Sequence, residues 1–457
     1  MREPRLRPRS APRKGAREMR FPKVVKVRQD FPRPRVDDVG EALREQCAKE
    51  EIRRRIEPGA EVAITAGSRG VAGIDDVLRS LVRILKEAGA SPFIVPSMGS
   101  HGGATAEGQV EILRSLGVTE ESVGAPIRSS MDVVEIGETG SGVPVYMDRI
   151  ASEADGVVIV GRIKQHTDFR SGVESGLLKM ASIGLGKHAQ ALALHAHGVK
   201  GIRDYMVEAG KVVYGSGKVL FGVGIVENAY EETAIIEAIP PERVAEREAE
   251  LLGESAKLMP KLPVSDIDVL FVDELGKNFS GTGMDTNVIG RFKILGVEEP
   301  ESPDVKYLIV GDVSEASHGN ALGIGLADFT TRRLFEKIDY EAMNQNVLTS
   351  TFVERAKIPM IMENDREALQ AAVRCNWGVE PEDTRFVRIP NTLHLRYAYL
   401  SENLLDEALA NGNVEVVEDA ADLAFDESDD LVHFDAEAEE QTVAVSSNRD
   451  DGYYGGD

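Results

Sequence analysis

A chain of 457 residues with a net charge of −24 has room for two or three domains of about 150 residues each. Only two cysteines are present, Cys47 and Cys375. That excludes a disulfide framework, a four-thiolate zinc site and a thiolate-ligated iron–sulfur cluster, and it suits a reducing cytoplasm.

The charge is uneven. Residues 1–20 hold eight basic and two acidic residues, a charge of +6, and residues 401–457 hold eighteen acidic residues and one Arg, a charge of −17. The first segment reads as a disordered basic arm. The last reads as an acidic, largely disordered tail, dispensable beyond about residue 412. The body between them carries −13, which argues against nucleic-acid binding through a basic surface. No apolar run reaches the roughly 18 residues of a membrane span.

Along the body, residues 61–65 (EVAIT) form a short apolar strand. Ile74, Val77, Leu78, Leu81, Val82 and Leu85 then recur at helical spacing. PFIVPSM is a second strand, followed by the glycine turn MGSHGG and a helix over 105–116 with Thr105 as its N-cap. DGVVIVGRIKQH and KVLFGVGIVEN are further buried strands. Two prolines in LMPKLPVSD mark a linker. A new unit follows with DIDVLFVDEL, YLIVGDV, a helix over LADFTTRRLFEKI, and IPMIME. Alternating strands and helices imply parallel sheets with right-handed crossovers. The expected fold is therefore α/β: two α/β domains, 21–264 and 265–400, with mainly parallel sheets and an active-site cleft between them.

The glycines of GSRGVAG at 67–73 do not make a dinucleotide fingerprint, which needs GxGxxG and an acidic residue for the ribose. The histidines carry more information. His101 and His166 each lie just past a strand's carboxyl end, where open α/β sheets bind ligands. Lys179 follows in ESGLLKM, then His188, His195 and His197. Either imidazole of HAH is a candidate metal ligand. One His alone cannot hold a metal, and no third protein ligand stands at a recognised spacing.

The order TAGSRG, GSHG, QHTDFRSGVESGLLKM and a His sixteen residues after the Lys resembles the nickel-pincer lactate racemase family over most of residues 21–400. The resemblance implies a cofactor, nickel pyridinium-3,5-bisthiocarboxylic acid mononucleotide, that brings three of the four metal ligands. It implies His101 and His166 as the two acid/base residues and Lys179 as the residue that joins the cofactor. His195 becomes the nickel ligand, with His197 the alternative. Arg69 becomes a cofactor and substrate contact, and Lys293, at the end of GMDTNVIGRFK, a substrate contact. Three residues more than in the family separate His166 from Lys179. Ala66 and Gly290 stand where the family has Asp and Gln. These differences point to the family's reaction on a substrate other than lactate.

The activity so implied is racemisation or epimerisation of a 2-hydroxy acid by proton-coupled hydride transfer through a 2-keto acid. Histidines suit it, because imidazole titrates near the working pH in both directions. The partners implied are a small 2-hydroxy acid and the cofactor-biosynthesis proteins that supply the nickel nucleotide, with no nucleic acid and no membrane. Two other readings stay open: a nicotinamide-dependent 2-hydroxyacid dehydrogenase, which lacks its fingerprint, and a non-catalytic cofactor-binding protein, which has no use for the His101 and His166 pair.

Overall fold

The computed structural model describes residues 19–68, 71–432 and 434. Within them the strands are β1 (Val24–Gln29), β2 (Glu61–Ala66), β3 (Ser91–Pro96), β4 (Val133–Glu138), β5 (Pro144–Asp148), β6 (Gly156–Arg162), β7 (Val219–Glu227), β8 (Thr233–Ile239), β9 (Asp266–Leu275), β10 (Asp304–Val313), β11 (Phe329–Thr331), β12 (Met360–Met362), β13 (Phe386–Ile389), β14 (Tyr397–Ser401) and β15 (Val414–Ala421). They form two α/β domains. The first is built on a five-stranded sheet in the order β3-β2-β6-β7-β8, parallel except for β8. The second is built on an eight-stranded sheet, β12-β11-β10-β9-β13-β14-β1-β15, whose first five strands run parallel. No helix among the described residues is long and apolar enough to cross a membrane.

The apolar periodicities have the expected result. Helix Ile74–Glu87 buries Ile74, Val77, Leu78, Leu81, Val82 and Leu85 against Val62, Ile64 and Ala66 of β2. Thr105 caps helix Ala106–Ser115 by accepting from the Gly108 amide at 3.1 Å. The stretch LADFTTRRLFEKI is not one helix: Phe329, Thr330 and Thr331 are fully covered and form β11, and the helix spans only Arg332–Glu336. Two adjacent β-branched residues buried on both faces favour a strand there.

The domain limits also differ from expectation. β1 does not belong to the first domain; it pairs antiparallel with β14 and β15 of the second. The tail is not wholly unstructured from 401 onward. β15 adds to the sheet edge, Leu431 and Phe434 are buried, and Phe425 stacks near Phe21 and under the Arg366 guanidinium. Acidic residues there meet cations: Arg333 bridges Asp365 and Asp430, and Arg366 holds Asp429. A dense negative charge is compatible with order when arginines stand opposite it. Residues 1–18 and those from 435 on lie outside the described residues.

Deleting everything after residue 412 therefore costs stability. It uncovers one edge of β1 and removes two buried side chains worth about 1.5–3 kcal/mol each. Urea denaturation is expected to show a clear fall in midpoint against the full chain; an unchanged midpoint would mean that this edge contributes nothing.

Candidate active site

Three loops converge at the carboxyl ends of neighbouring strands. Ser68 follows β2, His101 follows β3, and residues 163–168 follow β6. They open on a cavity of about 960 Å³ lined by both domains. From the first domain it takes Ser68, His101, Lys164, His166, Lys179 and His195; from the second, Lys277, Asn278, Gln345, Asn346 and Arg355.

The His101 loop is tied down from behind. Gly102 and Gly103 both have positive φ, and a side chain on Gly102 would strike the Gly108 backbone at 2.5 Å. Gln109 donates to the Gly99 and His101 carbonyls. Gln109 in turn accepts from the fully buried Lys187, which pairs with Asp148 at 3.1 Å. The His101 ring meets Ser68 Oγ through Nδ1 at 2.5 Å.

His166 is more enclosed. Its ring stacks on Phe169 at 4.4 Å. Its Nδ1 accepts from the Asp168 amide at 3.2 Å, and its Nε2 lies 2.8 Å from Lys179 Nζ. Its own amide donates to Glu174 Oε2 at 2.6 Å. The second domain grips the same loop. Thr286 Oγ1 and Arg355 Nη2 both donate to the Thr167 carbonyl, at 2.7 and 3.0 Å, and Arg355 Nη1 donates to Asp168 at 2.5 Å. Burial works to raise the Asp168 carboxyl, but Arg355, His166 and Lys179 outweigh it and hold it at about 2.

Lys179 stands where helix Leu177–Lys179 passes into a π-helical turn, Met180–Gly184. Such turns are uncommon and often found at functional sites. The chain kinks at Lys187, which has φ of 55°, and helix Lys187–His195 then brings His195 to the cavity at its end. Burial, with Lys179 adding to it, lowers the His195 pKa, so the imidazole is biased to its neutral form. His197 does not line the cavity; it sits edge-on to Tyr205 at 5.1 Å.

Of the residues singled out in the sequence, His101, His166, Lys179 and His195 come together. Lys293 does not. Its ammonium donates to the Gly325 carbonyl at 3.3 Å and faces Asp328 at 3.8 Å, and it is not among the cavity's lining residues. The motif that ends in it acts earlier, through Thr286 and Asn287, on the His166 loop. Arg69 lies outside the described residues. The sequence reading missed Arg355, Asp168 and Lys277. For Asp168 the signal was its place two residues after His166; a lone Arg or Lys in the second domain carries no such mark.

Asp168 gives the site a pH signature. Its folded pKa lies below the unfolded value of about 3.9. Its contribution is therefore present above that pH and is lost as pH falls toward 2. Arg355→Met leaves a buried carboxylate without its partner, at a cost of about 3–5 kcal/mol. Unfolding by urea at stepped pH should show that loss near neutrality, and the gap between the two proteins should narrow as pH falls toward 2, because the variant no longer has a depressed Asp168 pKa to lose. Equal acid limbs in the two proteins would mean that Arg355 does not set the Asp168 charge.

No His, Cys, Asp or Glu side chains among the described residues are grouped in threes as a metal would need. A metal at His195 would take its other ligands from a bound organic group. The residues fit that arrangement: a neutral imidazole and a lysine amine face one cavity large enough for a nucleotide.

Residues 20–203 match the family described as Lactate racemase N-terminal domain. Among solved structures the chain is similar to the lactate racemase apoprotein from Thermoanaerobacterium thermosaccharolyticum, with a TM-score of 0.50 and 12% identity, over 81% of this chain and 98% of that one. At that identity the likeness is one of fold. No curated protein matches the chain.

Proposed function

From a chain that is lactate racemase-like in its N-terminal domain and in its fold, we propose a racemase or epimerase of a 2-hydroxy acid that uses a nickel-pincer nucleotide. One observation carries the reading: His101, His166, Lys179 and His195, from four separate segments, line one cavity. A carrier of the cofactor has use for Lys179 and His195 alone. A nicotinamide enzyme needs one acid/base residue and a nucleotide fingerprint.

In this reading Lys179 and His195 hold the cofactor, Lys179 through its amine and His195 through its imidazole. When bound, the group supplies a hydride acceptor and donor, which a side-chain base cannot replace at so weakly acidic a C–H. The chain supplies everything else. One imidazole takes the hydroxyl proton of the substrate as C2 becomes planar, and the other returns a proton on the opposite face. His166 Nε2, 2.8 Å from Lys179 Nζ, would orient the lysine amine that would join the cofactor. Lys277 replaces Lys293 as the cation for the substrate carboxylate. It lines the cavity and is anchored through the Gly281 carbonyl at 2.5 Å. Closure of the two domains over the cavity would exclude water. Supply of the nucleotide by cofactor-biosynthesis proteins is part of the proposal.

The test is to co-produce the full chain with the cofactor pathway. Its metal content and visible spectrum are then measured, and it is incubated with single enantiomers of 2-hydroxy acids of increasing size under chiral chromatography. Loss of optical purity for one of them supports the reading. A loaded protein that racemises none of them would leave the carrier reading. A protein that takes up no nickel and reduces a nicotinamide instead would leave the dehydrogenase.

A further inference from the structure

Behind Lys179, on the side away from the cavity, lies a buried acid that none of the chemistry above uses. Glu248, in helix Val244–Leu258, is fully buried. Its Oε2 accepts from the Leu178 amide at 2.9 Å, and the Leu177 amide also acts on it. These are amides of the short helix Leu177–Lys179, whose first turn has no capping side chain of its own. No Lys or Arg among the described residues forms an ion pair with Glu248. The approach is close because Gly176 has no side chain; a Cβ there would stand 2.2 Å from Glu248 Oε1. On the other side a Cβ on Gly210 would meet the Leu178 carbonyl at 2.6 Å. The turn that carries Lys179 is thus clamped between a carboxyl and a helix backbone, with glycine at both contacts.

We propose that Glu248 is a positioning residue for Lys179. It satisfies the free amides at the start of the Lys179 helix from a distant segment and so fixes where the amine stands against His166. Substituting the acceptor frees those amides in a buried place, which costs more than a hydrogen bond lost at a surface.

The group does this as a neutral acid. Burial pushes the Glu248 carboxyl up to about 8, against the pull of the Leu178 and Leu177 amides. Oε1 and the hydroxyl of Tyr214 are both buried without a hydrogen-bond partner. Tyr214 is the titratable group that faces Glu248, and burial raises it well above its ordinary value, with Glu248 adding to the rise. Since the folded pKa exceeds the unfolded one, protonation of Glu248 favours the fold at low pH. That gain falls away as pH rises through about 8.

The inference rests on the reading of Lys179 as the residue that joins the cofactor, and its test uses the cofactor-free full chain so that the two fail separately. Protection of the Leu177 and Leu178 amides is measured by hydrogen exchange between about pH 6 and pH 10, alongside the rate at which a lysine-selective acylating reagent modifies Lys179, read by peptide mass spectrometry. In the wild type, protection is expected to hold across this range, since an ionised carboxyl accepts from an amide at least as well as a neutral one. Glu248→Gln, neutral at every pH and still an acceptor, should keep protection throughout. Glu248→Leu should lose protection at least tenfold at every pH and change the Lys179 modification rate by about as much. If the Leu variant does not fold, Glu248→Ala, which removes the acceptor with less bulk, is read in its place. The proposal is overturned if a folded Leu or Ala variant keeps both protection and modification rate, or if the Gln variant loses them as the Leu variant does.

Discussion

Replacing His101 or His166 by Ala should lower racemisation about 10²–10⁴-fold in both directions, the usual cost of losing a general acid or base. A full turnover needs a proton removed on one face and returned on the other, so neither residue can cover for its partner. The two imidazoles reach the cavity from different strand ends and with different supports. His101 leans on Ser68 on the open side; His166 is stacked, bonded to Lys179 and held by the second domain. A half-reaction from one enantiomer needs only one base. In single-turnover mixing, loaded His101→Ala and His166→Ala should therefore reduce the cofactor with opposite enantiomers. If one of them racemises near the wild-type rate, that imidazole is a turn residue, and chemistry with two bases is wrong for this chain.

His195→Ala should strip the metal. In the proposed function His195 is the chain's single ligand to nickel, and the neutral imidazole that burial favours is the ligating form. The fold should survive, because His195 ends its helix rather than filling a core position. Metal analysis of protein made with the cofactor pathway should find nickel near background in His195→Ala and near wild type in His197→Ala, with activity following the metal. The reverse pattern would make His197 the ligand and would require its edge contact with Tyr205 to open.

What could be seen in the sequence follows a physical pattern. Strands buried on both faces, such as β2, β3, β6 and β7, announce themselves as apolar runs, and helix Ile74–Glu87 as a single apolar face. The histidine pair was visible because strand-end loops in parallel sheets share one rim. β1 was placed with the first domain and β15 within an acidic tail, because nothing local in such a segment says which distant strand it joins. GMDTNVIGRFK was recognised as a unit and its last residue taken as a substrate contact, whereas the contacts it makes at the cavity are those of Thr286 and Asn287 on the His166 loop. Arg355 and Lys277 were invisible for a simpler reason: an isolated cation looks the same in a sequence whether it ends at a surface or beside a buried carboxylate.

The placement of β1 has a consequence for biosynthesis. The five-stranded sheet draws on a continuous stretch, from β2 to β8, and its contacts can all form while the ribosome is still extending the second half. β1 is made before any of it, yet its partners β14 and β15 are among the last described residues to emerge. The oldest strand must stay unpaired through most of synthesis, and contacts of such long range form slowly. Arg355 and Thr286 arrive late as well. A nascent chain with a finished first sheet thus holds His166 through Glu174 and Phe169, and the grip of Thr286 and Arg355 on that loop is added only with the second domain.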